Sequence, residues 1–575
     1  MTDVIFSGGT VLTLDDRRPR ATAVAVRDGR VLAVGGDEVL SLRTDTTELV
    51  DLEGRTICPG FIDAHHHLTL AAWCQLGVDL HGCRSVAEVL ARLVAAPSLA
   101  AGGWLYGFNY DPRRFTTGPR LSRHHLDAVV GDRPALVMHF SFHEAVASSA
   151  GLRAAGIDHR SSDPQGGRIV RDRAREPTGE LLETAVGHIE ALARTAAGDT
   201  GYEAWLTALE GYCRGLFAAG IVHVADPGVD AGLERYVRRA EAEGRLPVPV
   251  SLLFVSGGGL FRPPTDRLDG PCTGAQLGPG LEVGALKLFA DGGSRCAVCV
   301  GLFEALAGVA TLAGRAVRLR RPGLLLASGA PDRPRLGLDG RLRAGFMHYD
   351  AEELAALCVA AHRRGFQLAV HAACNAGIDQ VLRAYERLPS GRYRHRVEHL
   401  VSLDRVQVRR LAEVGAIGVV QPAYVAQLGD EWEAMPAPPR LRSVPLRDLL
   451  DAGVTLAGSS DAPVAPYRPL LGMQAAVTRQ TLGGLVHQGD QAISPLEALQ
   501  LWTTGAAAAI NRAGELGMLR VGARGDLVVL SRDPLRTPPD ALGQIRVERT
   551  VIGGRTVFSA EFERRGLEGV LNADS

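Results

Sequence analysis

Lys287 is the most chemically distinctive residue in this chain, because it is the only lysine among the 63 lysine and arginine residues. It lies in the apolar run 284–290, which predicts a buried strand ending in a loop. A buried guanidinium stays charged, whereas a buried ammonium group readily loses its proton. Such an amine can form a Schiff base, act as a base, or take up carbon dioxide to give a metal-bridging carbamate. The alternative is an ion-paired lysine without a chemical role.

Three consecutive histidines, His65, His66 and His67, follow a second apolar run at 56–64. Side chains alternate along a strand, so His65 and His67 share one face while His66 points away. Two imidazoles on one face at the end of a strand form a ready metal chelate. The alternative is a polar loop that happens to contain histidines.

Further residues of ligand type end other predicted strands, namely His371, His399 and Asp461. Imidazoles with a carboxylate suit zinc, in one or two ions per chain, although other divalent metals also accept them. A carboxylated Lys287 would bridge two ions, with His371 and His399 on one of them. His65, His67 and Asp461 would then hold the other ion.

A bound metal lowers the pKa of its water from about 16 to about 7, so hydroxide is available at neutral pH. Asp461 is then placed to accept the proton and pass it to a leaving nitrogen. We therefore count Asp461, Lys287 and His399 as candidate catalytic residues.

Eight apolar runs that alternate with helical patterns must position these side chains. They predict a (β/α)₈ barrel, whose strands have carboxyl ends that meet at one mouth. The runs are 56–67, 221–226, 248–255, 284–290, 366–371, 394–399, 416–421 and 454–461.

Short β runs joined by tight turns occupy both ends of the chain, and they predict one β-sandwich domain built from 1–58 and 513–575. The barrel takes 59–67 and 216–512. Residues 68–215 break the alternation of strand and helix, so they are predicted to form an inserted subdomain that caps the mouth. Within it we expect one strand, at 135–140. The segment from 292 to about 345 is predicted to be an irregular lid.

The 575 residues carry a formal net charge of −1, so the chain lacks the excess of positive charge that is typical of proteins that bind nucleic acid or an anionic membrane. No apolar run approaches the roughly 20 residues of a membrane-spanning helix, and the first residues lack the pattern of a signal peptide. The nine cysteines are scattered, and Cys296 and Cys299 have no second zinc-binding pair. We therefore expect a reduced, cytoplasmic protein that acts on a small molecule.

The combined motifs resemble those of the amidohydrolase superfamily, and more closely its branch of N-acyl amine and N-substituted formamide hydrolases (amidohydrolase family 3). The matching segments are PGFIDAHHH at 59–67, KLFADG at 287–292, VHA at 370–372, RVEH at 396–399, VQP at 420–422, GSSDAPV at 458–464 and GDLVVL at 525–530. The resemblance implies a metal-dependent hydrolase of an amide-type C–N bond. Its substrate would be an N-acyl or N-formyl amine, or a related cyclic amide or carbamate.

The resemblance also suggests residues for substrate binding. His143 matches a family position in the insertion that faces substrate, although a structural role stays open. Cys374 and Asn375 stand where the family usually has Gly and Asp, and Tyr424 stands where His is common. We count His143, Arg295, Asn375 and Tyr424 as candidate substrate-binding residues. These departures indicate a specialised pocket beside unchanged metal positions.

Two other functions use the same scaffold. A lyase or isomerase in a specialised pathway would need similar ligands to stabilise an enolate, and only product analysis separates it from a hydrolase. A non-catalytic regulatory protein is disfavoured because all six ligand positions are kept. A homodimer is compatible with such a fold.

Overall fold

A computed structural model gives the structure of the chain for residues 3–95, 103–115, 118–196, 201–256, 267–293, 295–318 and 334–561. Its centre is a nearly closed barrel of eight parallel strands, as predicted. In chain order these barrel strands are Phe61–Asp63, Ile221–Val229, Val250–Val255, Leu281–Phe289, Gln367–Cys374, Arg396–Leu403, Ile417–Val420 and Thr455–Gly458. The first and last strands meet where Ala64 N lies 3.4 Å from Gly458 O.

The barrel strands are readable as apolar runs because both of their faces are buried. In the fourth strand, Leu281–Phe289, every residue is buried. Small side chains such as Ala285 and Ala369 lie in a second buried cluster, to which most of the barrel strands contribute residues. Because side chains alternate, Lys287 and His371 continue the same inward row, two residues further along their strands. The strands thus bring these two side chains to the mouth.

Helices surround the barrel and connect its strands. They are Leu68–Cys74, Tyr202–Ala218, Ala231–Ala242, Ala351–Arg363, Asn375–Tyr385, Arg405–Glu413, Ala423–Glu433, Leu446–Asp451, Pro469–Thr478, Pro495–Gln500, the π-helical turn Leu501–Gly505, and Ala506–Ala509. No helix within the described residues combines the length and the apolar character needed to cross a membrane.

Two sheets are built from the ends of the chain. One is formed by Arg30–Gly35, Ala23–Arg27, Val4–Ser7 and Glu48–Asp51, and the other by Arg555–Ser559, Val547–Ile552, Leu527–Leu530, Thr56–Pro59, Thr10–Leu12 and Arg20–Ala21. Phe6 and Val24 of the first sheet share a buried cluster with Ile57 and Val529 of the second. We propose that these sheets form the terminal domain, although its last residues, 562–575, lie outside the described ranges.

The inserted region contains a six-stranded sheet, so the expectation of one strand there is wrong. The strands are Gly167–Arg171, Pro177–Glu183, Glu144–Ala147, Ala135–His139, Leu105–Tyr110 and Val78–Asp79, and the helices beside them are Val86–Ala95, Arg123–Val130, Ser149–Ala154 and Thr184–Thr195. In Gly167–Arg171 and in the first half of Pro177–Glu183, buried residues alternate with partly exposed ones, so the hydrophobic signal of these two strands is weaker than that of the barrel strands.

The segment after the fourth barrel strand is also more ordered than its composition suggests. It contains the helix Leu302–Arg318 and a sheet of Val298–Gly301, Arg341–Ala344 and Arg335–Leu336. The prediction of an irregular segment is therefore wrong for the described part. Residues 294 and 319–333 lie outside it.

Candidate metal centre

The first and last barrel strands bring three side chains of ligand type together. His65 and His67 follow the first strand, and Asp461 follows the last. Asp461 Oδ1 lies 3.3 Å from His65 Nε2 and 3.1 Å from His67 Nε2. The three ligand atoms lie within 4.8 Å of one another, a spacing that can hold one metal ion.

The second nitrogen of each imidazole in this group meets a hydrogen-bond acceptor. His65 Nδ1 lies 2.5 Å from Glu398 Oε2, and His67 Nδ1 lies 2.8 Å from Pro227 O. An acceptor at Nδ1 keeps the proton there and leaves the lone pair on Nε2. Asp461 Oδ1 is buried and makes no hydrogen bond within the described part of the chain. Three converging lone pairs with no proton between them fit a divalent cation.

Glu398 is the residue that orients His65, and sequence reasoning gave it no role. Arg396 donates to it from two nitrogens, at 2.8 and 2.9 Å, and both side chains are fully buried. Burial alone would raise the pKa of Glu398, but Arg396 and His65 hold it well below its usual range. The available signal was the spacing, because Arg396 and Glu398 are two residues apart on one strand and so share a face.

His371 and His399 lie beside the three-residue group. Their ring centroids are 4.4 Å apart, and the centroid of His399 is 4.8 Å from that of His65. His399 Nδ1 lies 2.9 Å from Gln421 Oε1, whose amide nitrogen donates to Ser459 Oγ. Burial lowers the pKa of His371 and lowers that of His399 to about 3, so both rings stay neutral. Neutral imidazole is the form that binds metal.

Lys287 is buried in the same region, with 1% of its surface exposed. Its Nζ lies 4.8 Å from the centroid of the Phe289 ring. Burial lowers the pKa of Lys287 to about 8, against the opposing effect of the Glu398 and Asp461 carboxylates. The amine is therefore partly unprotonated near neutral pH.

Two of the four candidate substrate-binding residues contact candidate ligands. Tyr424 Oη donates to Asp461 Oδ2, and the His143 ring lies 5.5 Å from the ring of His371. The side chain of Asn375 instead makes two hydrogen bonds with the main chain of Cys299. Arg295 has its Nε 3.2 Å from Glu144 Oε1, in the inserted sheet. Asn375 and Arg295 are thus not brought to the ligand group.

Glu183 is a second residue that sequence reasoning did not place. It is fully buried, and it has a positive φ of 53° just before the helix Thr184–Thr195. Its Oε2 lies 2.6 Å from His143 Nδ1, and its Oε1 accepts from Arg295 N. Burial would raise the pKa of Glu183, but His143 lowers it to about 2. Non-glycine residues rarely adopt this backbone conformation, so the chain holds the carboxylate in place against some strain.

The expectation of a chain with only reduced cysteines is wrong. Cys296 and Cys374 form a disulfide across 78 residues of sequence, while the other seven cysteines are free thiols. The loop after the fourth barrel strand returns to the end of the fifth, and this places the two Cα atoms 5.5 Å apart. No spacing along the chain could reveal this proximity.

An eight-stranded barrel with a His-His-Asp group at its mouth defines the class of metal-dependent barrel hydrolases. Residues 48–558 match the model described as "Amidohydrolase family". The chain belongs to this family, and it is a metal-dependent hydrolase that acts on C–N bonds.

Two curated relatives align over nearly the whole chain. The N-substituted formamide deformylase of Arthrobacter pascens is 31% identical over 571 residues, covering 96% of this chain and 98% of that protein. The putative amidohydrolase YtcJ of Bacillus subtilis is 30% identical over 576 residues, covering 96% and 99%. An uncharacterised metal-dependent hydrolase structure from Pyrococcus horikoshii has 23% identity and a TM-score of 0.67, covering 94% and 99%. This last likeness bears on the fold alone.

Proposed function

We propose that this protein hydrolyses the C–N bond of an N-acyl or N-formyl amine, or of a related cyclic amide or carbamate, with zinc as the metal. The observation that carries the proposal is the convergence of His65 Nε2, His67 Nε2 and the unpartnered Asp461 Oδ1. The deformylase relative supports the substrate class, because its name specifies an N-substituted formamide. Zinc bound at this group supplies a Lewis acid and an activated water at neutral pH.

Asp461 carries the proton in this proposal. Its Oδ2 accepts a hydrogen bond from Tyr424 Oη, which fixes the plane of the carboxylate and leaves Oδ1 facing the two imidazoles. From this position Asp461 can accept a proton from the attacking water and deliver it to the leaving nitrogen. Tyr424 thus positions the proton acceptor.

His143, whose ring lies beside that of His371, provides a donor for substrate. Its Nδ1 is held by Glu183, so Nε2 remains for substrate. Charged oxygens such as Glu183 favour the protonated ring, and the pKa of His143 is raised although burial opposes this. We propose that His143 Nε2 donates to the carbonyl oxygen of the scissile bond as negative charge develops there.

Lys287 is the proposed second-metal bridge. The unprotonated Nζ attacks the carbon of carbon dioxide and forms an N–C bond as one C=O π bond opens onto its oxygen, and the nitrogen then gives up a proton to water, which leaves a carbamate with two oxygens. His371 and His399, with neutral rings beside His65, would complete a second ion. Without the carbamate the site keeps the His65, His67 and Asp461 group and holds a single ion.

Metal content and product analysis test the proposal. Protein purified without chelators, with bicarbonate present, should contain zinc by plasma mass spectrometry and should release formate or another acid together with a free amine. Asp461→Asn should lose metal and at least about 100-fold in kcat/KM, while Asp350→Asn, at an exposed helix cap, should match the wild type. Turnover without acid release would favour a lyase or isomerase. A protein that takes up no metal after reconstitution would favour the binding-protein alternative.

A further inference from the structure

Three cysteines lie together between the loop after the fourth barrel strand and the helix Asn375–Tyr385. Cys296 and Cys374 are joined by a disulfide, and the free thiol Cys299 is separated from Cys296 by two residues. The side chain of Asn375, the neighbour of Cys374, accepts from Cys299 N at 3.0 Å and donates to Cys299 O at 2.7 Å. The main chain of Cys299 is therefore held beside both members of the disulfide.

The Cys299 thiol is accessible and lies beside positive charge. It is partly exposed and lines a cavity of about 850 Å³, which none of the candidate metal ligands lines. Arg341 Nε donates to Cys299 Sγ at 3.2 Å. Five arginines and four carboxylates line the cavity, so positive charge is in slight excess there. A guanidinium beside a thiol favours the thiolate, which is the reactive form.

We propose that Cys299 is the attacking thiol of an exchange site, in which it displaces Cys374 from the disulfide. The Cys299 thiolate attacks Cys296 Sγ, so that a bond forms between these two sulfurs while the bond between Cys296 and Cys374 breaks. The electron pair of the broken bond goes to Cys374 Sγ, which takes up a proton from water. The proton that Cys299 lost replaces that proton, so the exchange consumes no oxidant and no reductant.

Cys374 is the better leaving group of the two cysteines in the disulfide. It is the N-cap of the helix Asn375–Tyr385, and a thiolate at a helix N-terminus is stabilised by the helix dipole. A sulfur that is more stable as a thiolate leaves faster. The exchange should therefore give a disulfide between Cys296 and Cys299 and a free thiol at Cys374.

The exchange removes a covalent link behind the candidate metal centre. The two segments that the disulfide joins also meet at Asp291, whose carboxylate accepts from Ala297 N at 3.2 Å, Ala373 N at 2.9 Å and Cys374 N at 3.1 Å. Asp291 Oδ1 lies 3.6 Å from Nε2 of the candidate ligand His371. The disulfide thus braces a carboxylate that contacts the candidate ligand group, and its exchange should loosen that contact.

Alkylation of the native holoenzyme with N-ethylmaleimide tests the exchange without any activity assay. After an acid quench, an arginine-specific protease used without reduction releases Cys296 and Cys299 in the peptide 296–315 and Cys374 in the peptide 365–383. A fraction of wild-type chains should carry the label on Cys374 together with an internal disulfide in 296–315. Cys299→Ser should give only the crosslinked peptides, whereas Cys272→Ser, at another partly exposed free thiol, should match the wild type.

Three results of this mapping would overturn the proposal. The first is a wild type whose two peptides stay crosslinked in every chain while maleimide reaches Cys299. The second is labelling of Cys374 that is equal in Cys299→Ser and in the wild type, because Cys299 would then not be the attacking thiol. The third is a crosslinked pair labelled at Cys296, because Cys296 and not Cys374 would then be the leaving group.

Arg341→Gln tests the activation of the thiol. Without the guanidinium the thiolate of Cys299 is less populated, so labelling of Cys374 should be several-fold slower than in the wild type. Arg335→Gln is the matched control, because Arg335 is exposed on a neighbouring strand of the same small sheet. Equal rates in Arg341→Gln and in the wild type would overturn the role of Arg341 at this site.

The effect of the exchange on activity rests on the proposed function and is measured separately. Cys374→Ser keeps only the pair Cys296 and Cys299, so it imitates the exchanged state, whereas Cys299→Ser keeps the original disulfide permanently. We expect kcat/KM to be at least about 10-fold lower in Cys374→Ser than in Cys299→Ser. Equal values would overturn the bracing of Asp291 by the disulfide. A wild type without hydrolytic activity would overturn the proposed function, while the alkylation pattern would still decide the exchange.

Discussion

At the residue scale, the site depends on which nitrogen of each imidazole carries the proton. Glu398, the Pro227 carbonyl and Gln421 each accept at an Nδ1 position, so three Nε2 lone pairs are left free. Such outer contacts fix the orientation of a ligand as well as its basicity. We propose that these hydrogen bonds orient the candidate ligands before a metal binds.

Replacement of Lys287 tests the carbamate. Lys287→Ala should lose most activity and one metal equivalent, and short carboxylic acids should restore part of both, because a carboxylate can occupy the bridging position. Lys287→Arg should be inactive, since a guanidinium stays charged and does not take up carbon dioxide. Metal content and acid release measure these effects. Full activity of Lys287→Arg would rule out a ligand role.

Glu183→Gln tests the orientation of His143. Loss of the carboxylate should lower the pKa of His143, so activity that needs the protonated ring should decline at a lower pH than in the wild type. We expect kcat/KM to fall by roughly 10- to 100-fold, with metal content unchanged. Glu180→Gln on the same strand is the control, because Glu180 lies 3.7 Å from Arg120, away from His143. An unshifted pH profile in Glu183→Gln would argue for a purely structural carboxylate.

At the scale of elements, the third and fourth barrel strands pack closely where Lys287 is presented. Gly284 lies opposite an irregular register between Leu252 and Phe254. A Cβ at Gly284 would be 2.9 Å from Leu253 Cδ1 and 3.2 Å from Leu252 O. The absence of a side chain at this position allows the two strands to approach.

Gly284→Ala should therefore destabilise the barrel, with a loss of about 1 to 3 kcal/mol in the free energy of unfolding and a reduced metal content. Gly211→Ala is the matched control, because Gly211 lies exposed in the helix Tyr202–Ala218 with open space around it. Alanine there should stabilise the protein by about 0.5 to 1 kcal/mol. Urea denaturation of the two variants measures both effects. Equal midpoints would contradict the prediction.

The barrel and the strand ends that carry the candidate ligands were predictable, because strands buried on both faces read as apolar runs. The helix Leu302–Arg318 was not, since Glu304 and Arg315 pair with other parts of the protein while the large apolar residues Phe303, Leu306 and Val317 face solvent, against the usual pattern. Glu398 and Glu183 could not be assigned either. Their roles depend on contacts with His65, 333 residues away, and with His143, 40 residues away.

At the scale of the whole molecule, several buried or half-buried histidines stay neutral at pH values well below the ordinary pKa of histidine. Burial lowers the pKa of His223 to about 3 and the pKa values of His139 and His395 to about 4. The unfolded chain binds protons at these positions below about pH 6.5, whereas the folded chain does not until the pH falls much further. At these three positions acid favours the unfolded chain, whereas Asp226 and Asp291, whose pKa values burial raises to about 7, oppose the effect.

The contribution of each of these histidines to the free energy of unfolding should decrease as the pH falls from about 6.5 toward 4, by up to ~1.4 kcal/mol per pKa unit. Urea midpoints of metal-free protein between about pH 7.5 and pH 5 measure the slope. His395→Gln should reduce the slope, whereas His159→Gln, at an exposed position, should not. An equal slope in His395→Gln and in the wild type would contradict the prediction.

The solitary lysine also gives the chain a single cleavage site for a lysine-specific protease. Cleavage after Lys287 would give the fragments 1–287 and 288–575. The site is in an inner barrel strand and 1% exposed, so the protease can reach it only when the barrel opens. When reclosing is faster than cleavage, the digestion rate reports the equilibrium population of that opened state. Cleavage of this one peptide bond therefore measures the free energy needed to open the central barrel.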